Sequence, residues 1–210
     1  MSLDERRRAV VAWLGEGTIN VFGRPFSGKD TQCRRLGRWL DAPVLGGGDI
    51  LRKRDDLPPH IAEYLKRGEL IPVSDYLKIV TPYLGQDDFA GRPLVLSSVG
   101  RYFGEEGSIL QATEAAGHPI RAVVELNLSE DQLWDRWHAS EEPLDRGERT
   151  DDTTETIKVR LQEFDKKTQP VLDFYRSQGL LVEVDGGGTA DEVENLVLDA
   201  LYDRAMRAQG

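Results

Sequence analysis

One cysteine in 210 residues, Cys33, excludes an internal disulfide, so the fold must hold without covalent staples. In the helix expected after the first loop, it reads as a small packing residue. Histidine is scarce too: His60, His118 and His138 are scattered and offer no structural zinc cluster. No apolar run approaches the roughly 20 residues a membrane helix needs. The stretch Ser2-Leu-Asp-Glu-Arg-Arg-Arg8 lacks a signal peptide's apolar segment and cleavage site, so a cytoplasmic protein without membrane contact is expected. Basic charge is in deficit, 27 Lys and Arg against 37 Asp and Glu, a formal net charge of −10. That balance argues against a general nucleic-acid binder, because counterion release needs positive charge spread over a face. There is no internal repeat and no low-complexity segment. With 39% hydrophobic and 30% charged residues, the chain can bury one sizeable core with small appendages, not two full domains.

What is present is organised around one stretch. The apolar, β-branched run Thr18-Ile-Asn-Val-Phe22 breaks into Gly23-Arg-Pro-Phe-Ser-Gly28-Lys29-Asp30-Thr31-Gln32, with the spacing G-x-x-x-x-G-K of a phosphate-binding loop. Such a loop turns successive backbone N–H groups inward as an anion nest, backed by the positive end of the following helix. The lysine reaches the β- and γ-phosphates. A plain strand-to-helix turn, its glycines only permitting the bend, is the alternative. After the lysine stands Asp30, where the general pattern has Ser or Thr to hold Mg²⁺.

Along the chain, residues 2–14 read as a short amphipathic helix, with Ala9, Val10, Trp13 and Leu14 at helical spacing, closed by Gly15-Glu-Gly17. Its expected role is packing. A helix over Thr31 to Leu40 follows the loop, then a short strand Ala42-Pro-Val-Leu45 running into three glycines. There the backbone can approach a ligand closely, and Asp49 can cap the helix carrying Arg52. Helical segments are expected around His60–Arg67 and Ser74–Leu84. A buried strand over Arg92–Ser97 ends at Ser98-Val-Gly-Arg101, with a helix to about Ala116. The strand Ile120–Leu126 leads through Ser129, an N-cap, into a helix ending near Trp137. From His138 to Thr150 the sequence is polar, with Pro143 and Gly147, as in a mobile loop. A long helical stretch from about Asp152 to Gln178, interrupted before Pro170, precedes a strand at Leu180–Val184, the Gly186-Gly-Gly188 turn and a last helix from Ala190. Strands alternating with helices imply an α/β fold with a parallel sheet covered on both faces. Ligands in such sheets sit at the strands' carboxyl ends, where Gly23, Gly47, Ser98 and Asp185 all fall.

Taken together, these stretches resemble the adenylate kinase family of nucleoside monophosphate kinases, from about Thr18 to Leu201. Gly23 to Gln32 looks like the family's phosphate loop, Gly48-Asp-Ile-Leu-Arg52 like its first monophosphate-binding segment, and Gly68-Glu-Leu-Ile-Pro72 like the segment closing over the base. Arg101 sits where the family has the arginine of its D-G-F-P-R run, Arg136 at the hinge of the lid, and Arg149-Thr-Asp-Asp152 at its G-R-x-D-D run. Arg160 lies eleven residues beyond Arg149, as the family's second arginine does. Thr168-Gln-Pro170-Val, Phe174-Tyr175 and Val184-Asp185-Gly186 complete the series.

The resemblance implies a P-loop NTPase three-layer sandwich with a five-stranded parallel sheet. Residues 1–17 would be a helical extension and 18–210 the kinase domain, with a monophosphate-binding insert at about 48–84 and a short lid at about 138–150. It implies ATP binding by Gly23, Ser27, Gly28, Lys29, Asp30, Thr31, Arg136 and Gly188. Monophosphate binding would fall to Gly47, Asp49, Arg52, Ile71, Arg101, Glu105, Arg149 and Arg160, and catalysis to Lys29, Arg101, Arg149 and Arg160. Substrate-bound Mg²⁺, ATP or ADP and a nucleoside monophosphate are the implied partners, with no structural zinc and a monomeric chain. Phosphoryl transfer to an anionic acceptor needs no general base; the difficulty is holding several negative charges together while excluding water, for which arginine forks are suited.

Departures from the family concentrate on metal and base recognition. Phe26 and Asp30 stand where the family usually has glycine, and its D-G-F-P-R run reads Ser97-Ser-Val-Gly-Arg101, without the carboxylate that orients Mg²⁺ waters. Gly47 replaces a threonine and Glu105 a glutamine at adenine-selecting positions. Ser140 occupies a lid position that often carries arginine, with Arg146 nearby. An ATP-dependent kinase acting on AMP is the leading expectation. A catalytically weakened nucleotide-binding sensor, a kinase of different base preference and a phosphotransferase with a non-nucleotide acceptor stay open.

Overall fold

In the computed structural model of the chain, residues 2–47, 50, 57–61, 63, 72–139 and 154–208 are described. Five strands form one all-parallel sheet: β1 (Thr18–Gly23), β2 (Val44–Gly46), β3 (Leu94–Ser97), β4 (Ile120–Asn127) and β5 (Leu181–Asp185), in the order β2-β3-β1-β4-β5. The strand carrying the phosphate-loop motif is central, and β3 and β4 flank it, with Val21 beside Ser97 and Gly23 beside Leu126. Parallel strands need long crossovers, and helices supply them.

Alternation along the central strands sends side chains to two cores. On one face Phe22, Leu94, Leu96 and Val123 pack with α3 (Val73–Leu84), α4 (Glu106–Ala115) and α7 (Gln169–Ser177). On the other, Ile19, Val21, Val95, Val124 and Val184 pack with α1 (Leu3–Leu14), α2 (Lys29–Leu40) and α8 (Ala190–Arg207). A smaller apolar cluster, Leu128, Leu133, Ile157 and Leu161, joins α5 (Glu130–Ala139) to α6 (Thr154–Glu163).

The packing role expected of the N-terminal helix is met. Ser2 and Glu5 form a capping box at its start, Val10 and Leu14 are buried, and Arg7 pairs with Glu194 of α8 at 3.0 Å. Each buried aliphatic side chain of this kind contributes about 1.5–3 kcal/mol. Ser129 caps α5 as expected, its hydroxyl accepting from Gln132 N–H at 3.2 Å.

Some boundaries differ from the sequence reading. α2 begins two residues earlier, at Lys29, and β2 is shifted to Val44–Gly46. α4 starts only at Glu106, because Ser98, Gly100 and Gly104 all take positive φ and keep the chain out of a helix. The long C-terminal helical stretch is interrupted before Pro170 by a π-helical segment, Phe164–Thr168. There Gln169 N–H donates to Phe164 O, and Pro170, which has no N–H, enters at the first turn of α7. Most of the helical segment expected around His60–Arg67 and of the loop expected from His138 to Thr150 lies outside the described residues.

Candidate functional site

The turn after β1 is shaped by two left-handed residues, Phe26 (φ 63°) and Gly28 (φ 81°). Positive φ at a bulky residue is costly, of order 1–3 kcal/mol. Phe26 is held there by packing against the small cluster of Leu128, Leu133, Ile157 and Leu161. Gly23 cannot bear a side chain, since a Cβ there would stand 2.3 Å from the buried Ser27 hydroxyl. Gly28 then caps α2, and Lys29, Asp30 and Thr31 form its first turn.

Lys29 is directed across the strand ends. Its ammonium donates to the Ser97 hydroxyl at 2.6 Å and to the Asp30 carboxylate at 2.5 Å, and the Ser97 hydroxyl donates to the same carboxylate oxygen at 2.9 Å. This triangle joins the loop after β1 to the end of β3. Arg136, on α5, makes a second tie. Its guanidinium donates to the carbonyls of Phe26 at 3.1 Å, Gly186 at 2.5 Å and Gly188 at 2.8 Å, so the first loop and the turn after β5 are held together.

Beyond β3 the chain turns sharply at Ser98 (φ 51°) and Gly100 (φ 69°). Asn20, buried in the middle of β1, clamps that turn by donating to Val99 O at 2.8 Å and accepting from Val99 N–H. Arg101 emerges exposed, its guanidinium 5.0 Å over the Tyr102 ring, while Lys167 of the π-helical segment stands 5.8 Å from that ring. Phe103 N–H donates to Lys167 O at 3.1 Å, fixing the turn to the C-terminal helices. Glu105 is only 3% exposed and accepts from Tyr102 N–H at 3.2 Å. Burial pushes its carboxyl up to about 7, opposed by that N–H and by Arg101. Gly47, just past β2, faces the hydroxyl of Tyr76 from α3; a Cβ on Gly47 would lie 3.0 Å from it.

Thus Gly23, Ser27, Gly28, Lys29, Asp30, Thr31, Arg136 and Gly188 lie at one group of strand ends, and Gly47, Arg101 and Glu105 beside them across β3. Arg160 is on α6, whose Ile157 and Leu161 share the apolar cluster that receives Phe26. Asp49, Arg52, Ile71 and Arg149 lie outside the described residues, as do Ser140 and Arg146. Sequence reasoning missed Asn20 and Tyr76. A polar residue in an apolar strand could have signalled Asn20; nothing local marked Tyr76. Cys33 is fully buried, and burial pushes its thiol up to about 12, which suits packing and not chemistry. Among the described residues no cluster of His, Cys, Asp or Glu could by itself hold a metal ion, and no helix is long and apolar enough to cross a membrane.

Comparison with known proteins identifies the family. Residues 21–180 match the family model described as adenylate kinase. A protein of Dehalococcoides mccartyi named adenylate kinase is 30% identical over 211 aligned residues, covering 87% of this chain and 97% of its own. One of Xanthomonas euvesicatoria is 32% identical over 185, covering 86% and 97%, and one of Clavibacter michiganensis 30% over 191, covering 89% and 94%; both carry the same name. On these matches the chain, with its phosphate-loop motif and five-stranded parallel sheet, belongs to the adenylate kinase family of nucleoside monophosphate kinases.

Proposed function

We propose that the protein reversibly transfers the γ-phosphoryl group of Mg²⁺-bound ATP to AMP. The observation that carries this reading is the direction of Lys29. Its ammonium spans from the phosphate loop to Ser97, four residues before Arg101, so the donor loop and the acceptor turn share one set of charges. Lys29 holds the donor's β- and γ-phosphates against the N–H groups of the loop and the start of α2. Gly23, Ser27, Gly28 and Thr31 shape and line that cradle, and Arg136 with Gly188 closes its outer side.

On the acceptor side, Arg101 and Arg52 grip the monophosphate, with Gly47, Asp49, Ile71 and Glu105 around its nucleoside. Arg149 and Arg160 approach the transferring group from the lid side. A phosphate oxygen of AMP attacks the terminal phosphorus, the bond from that phosphorus to the bridging oxygen breaks, and two ADP molecules result; no proton need move. The arginines neutralise charge that is greatest when both substrates are bound, and lid closure excludes water as a competing acceptor.

The donor set fits Mg²⁺. Asp30 and Ser97 offer a carboxylate and a hydroxyl 2.9 Å apart at the mouth of the loop, hard oxygens that phosphates and water would complete. Held there, Mg²⁺ would neutralise part of the charge of the donor's phosphates. Asp30 compensates here for the carboxylate that Ser97 lacks. A monomeric, cytoplasmic enzyme acting on free nucleotides completes the reading.

A coupled assay of ADP formation tests it, with ATP, Mg²⁺ and each nucleoside monophosphate in turn. AMP should support the fastest turnover. Absence of ADP formation with every monophosphate would overturn the proposal in favour of a nucleotide-binding module.

A further inference from the structure

The pairing of β4 with β5 sets like charges side by side. Its register puts Glu125 beside Glu183 and Asn127 beside Asp185, and the two-residue period sends all four to the face where Val123 and Leu181 pack. There a cavity of about 430 Å³ opens between these strand ends, Gln169 of α7, and Ser129 and Gln132 at the entry to α5. Glu125 is its most buried carboxylate, only 5% exposed. Among the described residues nothing donates a hydrogen bond to its carboxyl, its Oε2 is sealed from water, and its ion-pair partner Arg176 stands 3.9 Å away. Arg176 is held more closely by Asp173 and Glu183, and Arg24, which also lines the cavity, by Asp165 at 2.9 Å. Burial, and then the neighbouring Glu183, push the Glu125 carboxyl up. A buried carboxylate with no hydrogen bond and no close counterion is costly unless a cation meets it.

We propose that this cavity binds a small organic dication, an aliphatic diamine, with one ammonium between Glu125 and Glu183 and the other on Asp185. Residues two apart on a strand stand about 6.5 Å apart, which a chain of four methylenes between two nitrogens spans. Each ammonium carries three donors, and the amide oxygen of Asn127 and the hydroxyl of Ser129 add acceptors beside the carboxylates. A metal ion fits less well, since among the described residues no group of three His, Cys, Asp or Glu is arranged to hold one. The same carboxylates repel nucleotide phosphates, so the site stands apart from the transfer reaction.

The test is calorimetric titration of the whole protein with 1,4-diaminobutane at about 0.15 M salt, which screens diffuse attraction to the chain's net charge of −10. One saturable site is expected. Butylamine, and potassium ion at the same ionic strength, should bind at least about tenfold more weakly, having lost the hydrogen bonds of one charged group. Glu125→Gln keeps the shape of the side chain and removes its charge, so it should weaken diamine binding at least about tenfold without lowering the melting temperature. Should that variant not fold, Glu183→Gln, at a half-exposed position, should still weaken binding severalfold. No saturable binding by wild type, equal binding by wild type and the variants, or butylamine bound as tightly as the diamine would overturn the inference. The titration contains no nucleotide, so its outcome is independent of the kinase reading.

Discussion

The Ser97 hydroxyl donates to the Asp30 carboxylate at 2.9 Å, joining the end of β3 to the first turn of α2 across 67 residues of sequence. A carboxylate missing from the strand end is thus present one side chain away, on the loop. If that carboxylate helps to hold Mg²⁺, Asp30→Gly should raise the Mg²⁺ concentration needed for half-maximal turnover and weaken Mg²⁺-dependent ATP binding by calorimetry. Adding Ser97→Asp to that variant should restore both in part, because the charge returns to the same few ångströms. Identical Mg²⁺ dependence in wild type and Asp30→Gly would leave the metal to phosphates, water and Thr31.

Lys29→Met should abolish transfer while leaving the fold intact. Its ammonium contacts only Asp30 and Ser97 in the hydrogen bonds described above and supports no buried core. Loss of one preorganised charge contact typically costs about 10²–10³ in rate. Arg101→Ala should do comparable damage, mainly through the acceptor. Retention by Lys29→Met of more than about a tenth of wild-type turnover would contradict the assignment of the loop.

The order of strands and helices was legible because the strands are short, mainly apolar runs and several helices open on a capping residue, as at Ser2, Ser129 and Thr189. The phosphate loop could be read from spacing alone. Contacts between distant elements could not. Nothing in the sequence around Asp30 says that Ser97 will meet it, since that depends on β1 and β3 being neighbours and in register. Tyr76 was invisible for a related reason: its hydroxyl reaches Gly47 only through the way α3 docks on the sheet. Pro170 announced a break, but periodicity gives no sign that a π-helical turn would accommodate it.

Ser98 holds φ 51° at a position where the family's run has glycine. Its hydroxyl gains little there, reaching Val21 O only at 3.4 Å. Replacement by glycine relieves the left-handed penalty, which for an ordinary residue is about 1–2 kcal/mol, and loses some of that gain to the greater freedom of the unfolded chain. Ser98→Gly should therefore be neutral to stabilising, raising the melting temperature by up to about 4 °C. A clear fall in thermal unfolding would mean that the serine hydroxyl matters more than the backbone.

Leu14, 1% exposed, packs from α1 into the core that α8 closes. Leu14→Ala should cost about 2–5 kcal/mol in urea unfolding, as expected for a buried cavity of this size. Turnover per folded molecule should be unchanged, because α1 packs against the face opposite α3, α4 and α7 and contributes none of the phosphate-loop, acceptor-turn or lid residues. A variant of wild-type stability would show that the N-terminal helix is an appendage and not part of the core.

Glu105 also makes stability depend on pH without any nucleotide present. Its carboxyl titrates at about 7 when folded, against an ordinary value of 4.5, because burial disfavours the charged form. Between those values the folded chain binds more protons than the unfolded one. Its contribution is complete below about pH 4.5 and is lost as pH rises through about 7. Glu105→Gln removes the titrating group while keeping the shape and the acceptor for Tyr102 N–H. The difference in unfolding free energy between Glu105→Gln and wild type should therefore grow in favour of the variant as pH is raised across that interval, and level off above it. Urea titrations of both proteins at a series of pH values measure this directly, and a difference independent of pH would place the Glu105 carboxyl in contact with water, contrary to its burial beneath Tyr102.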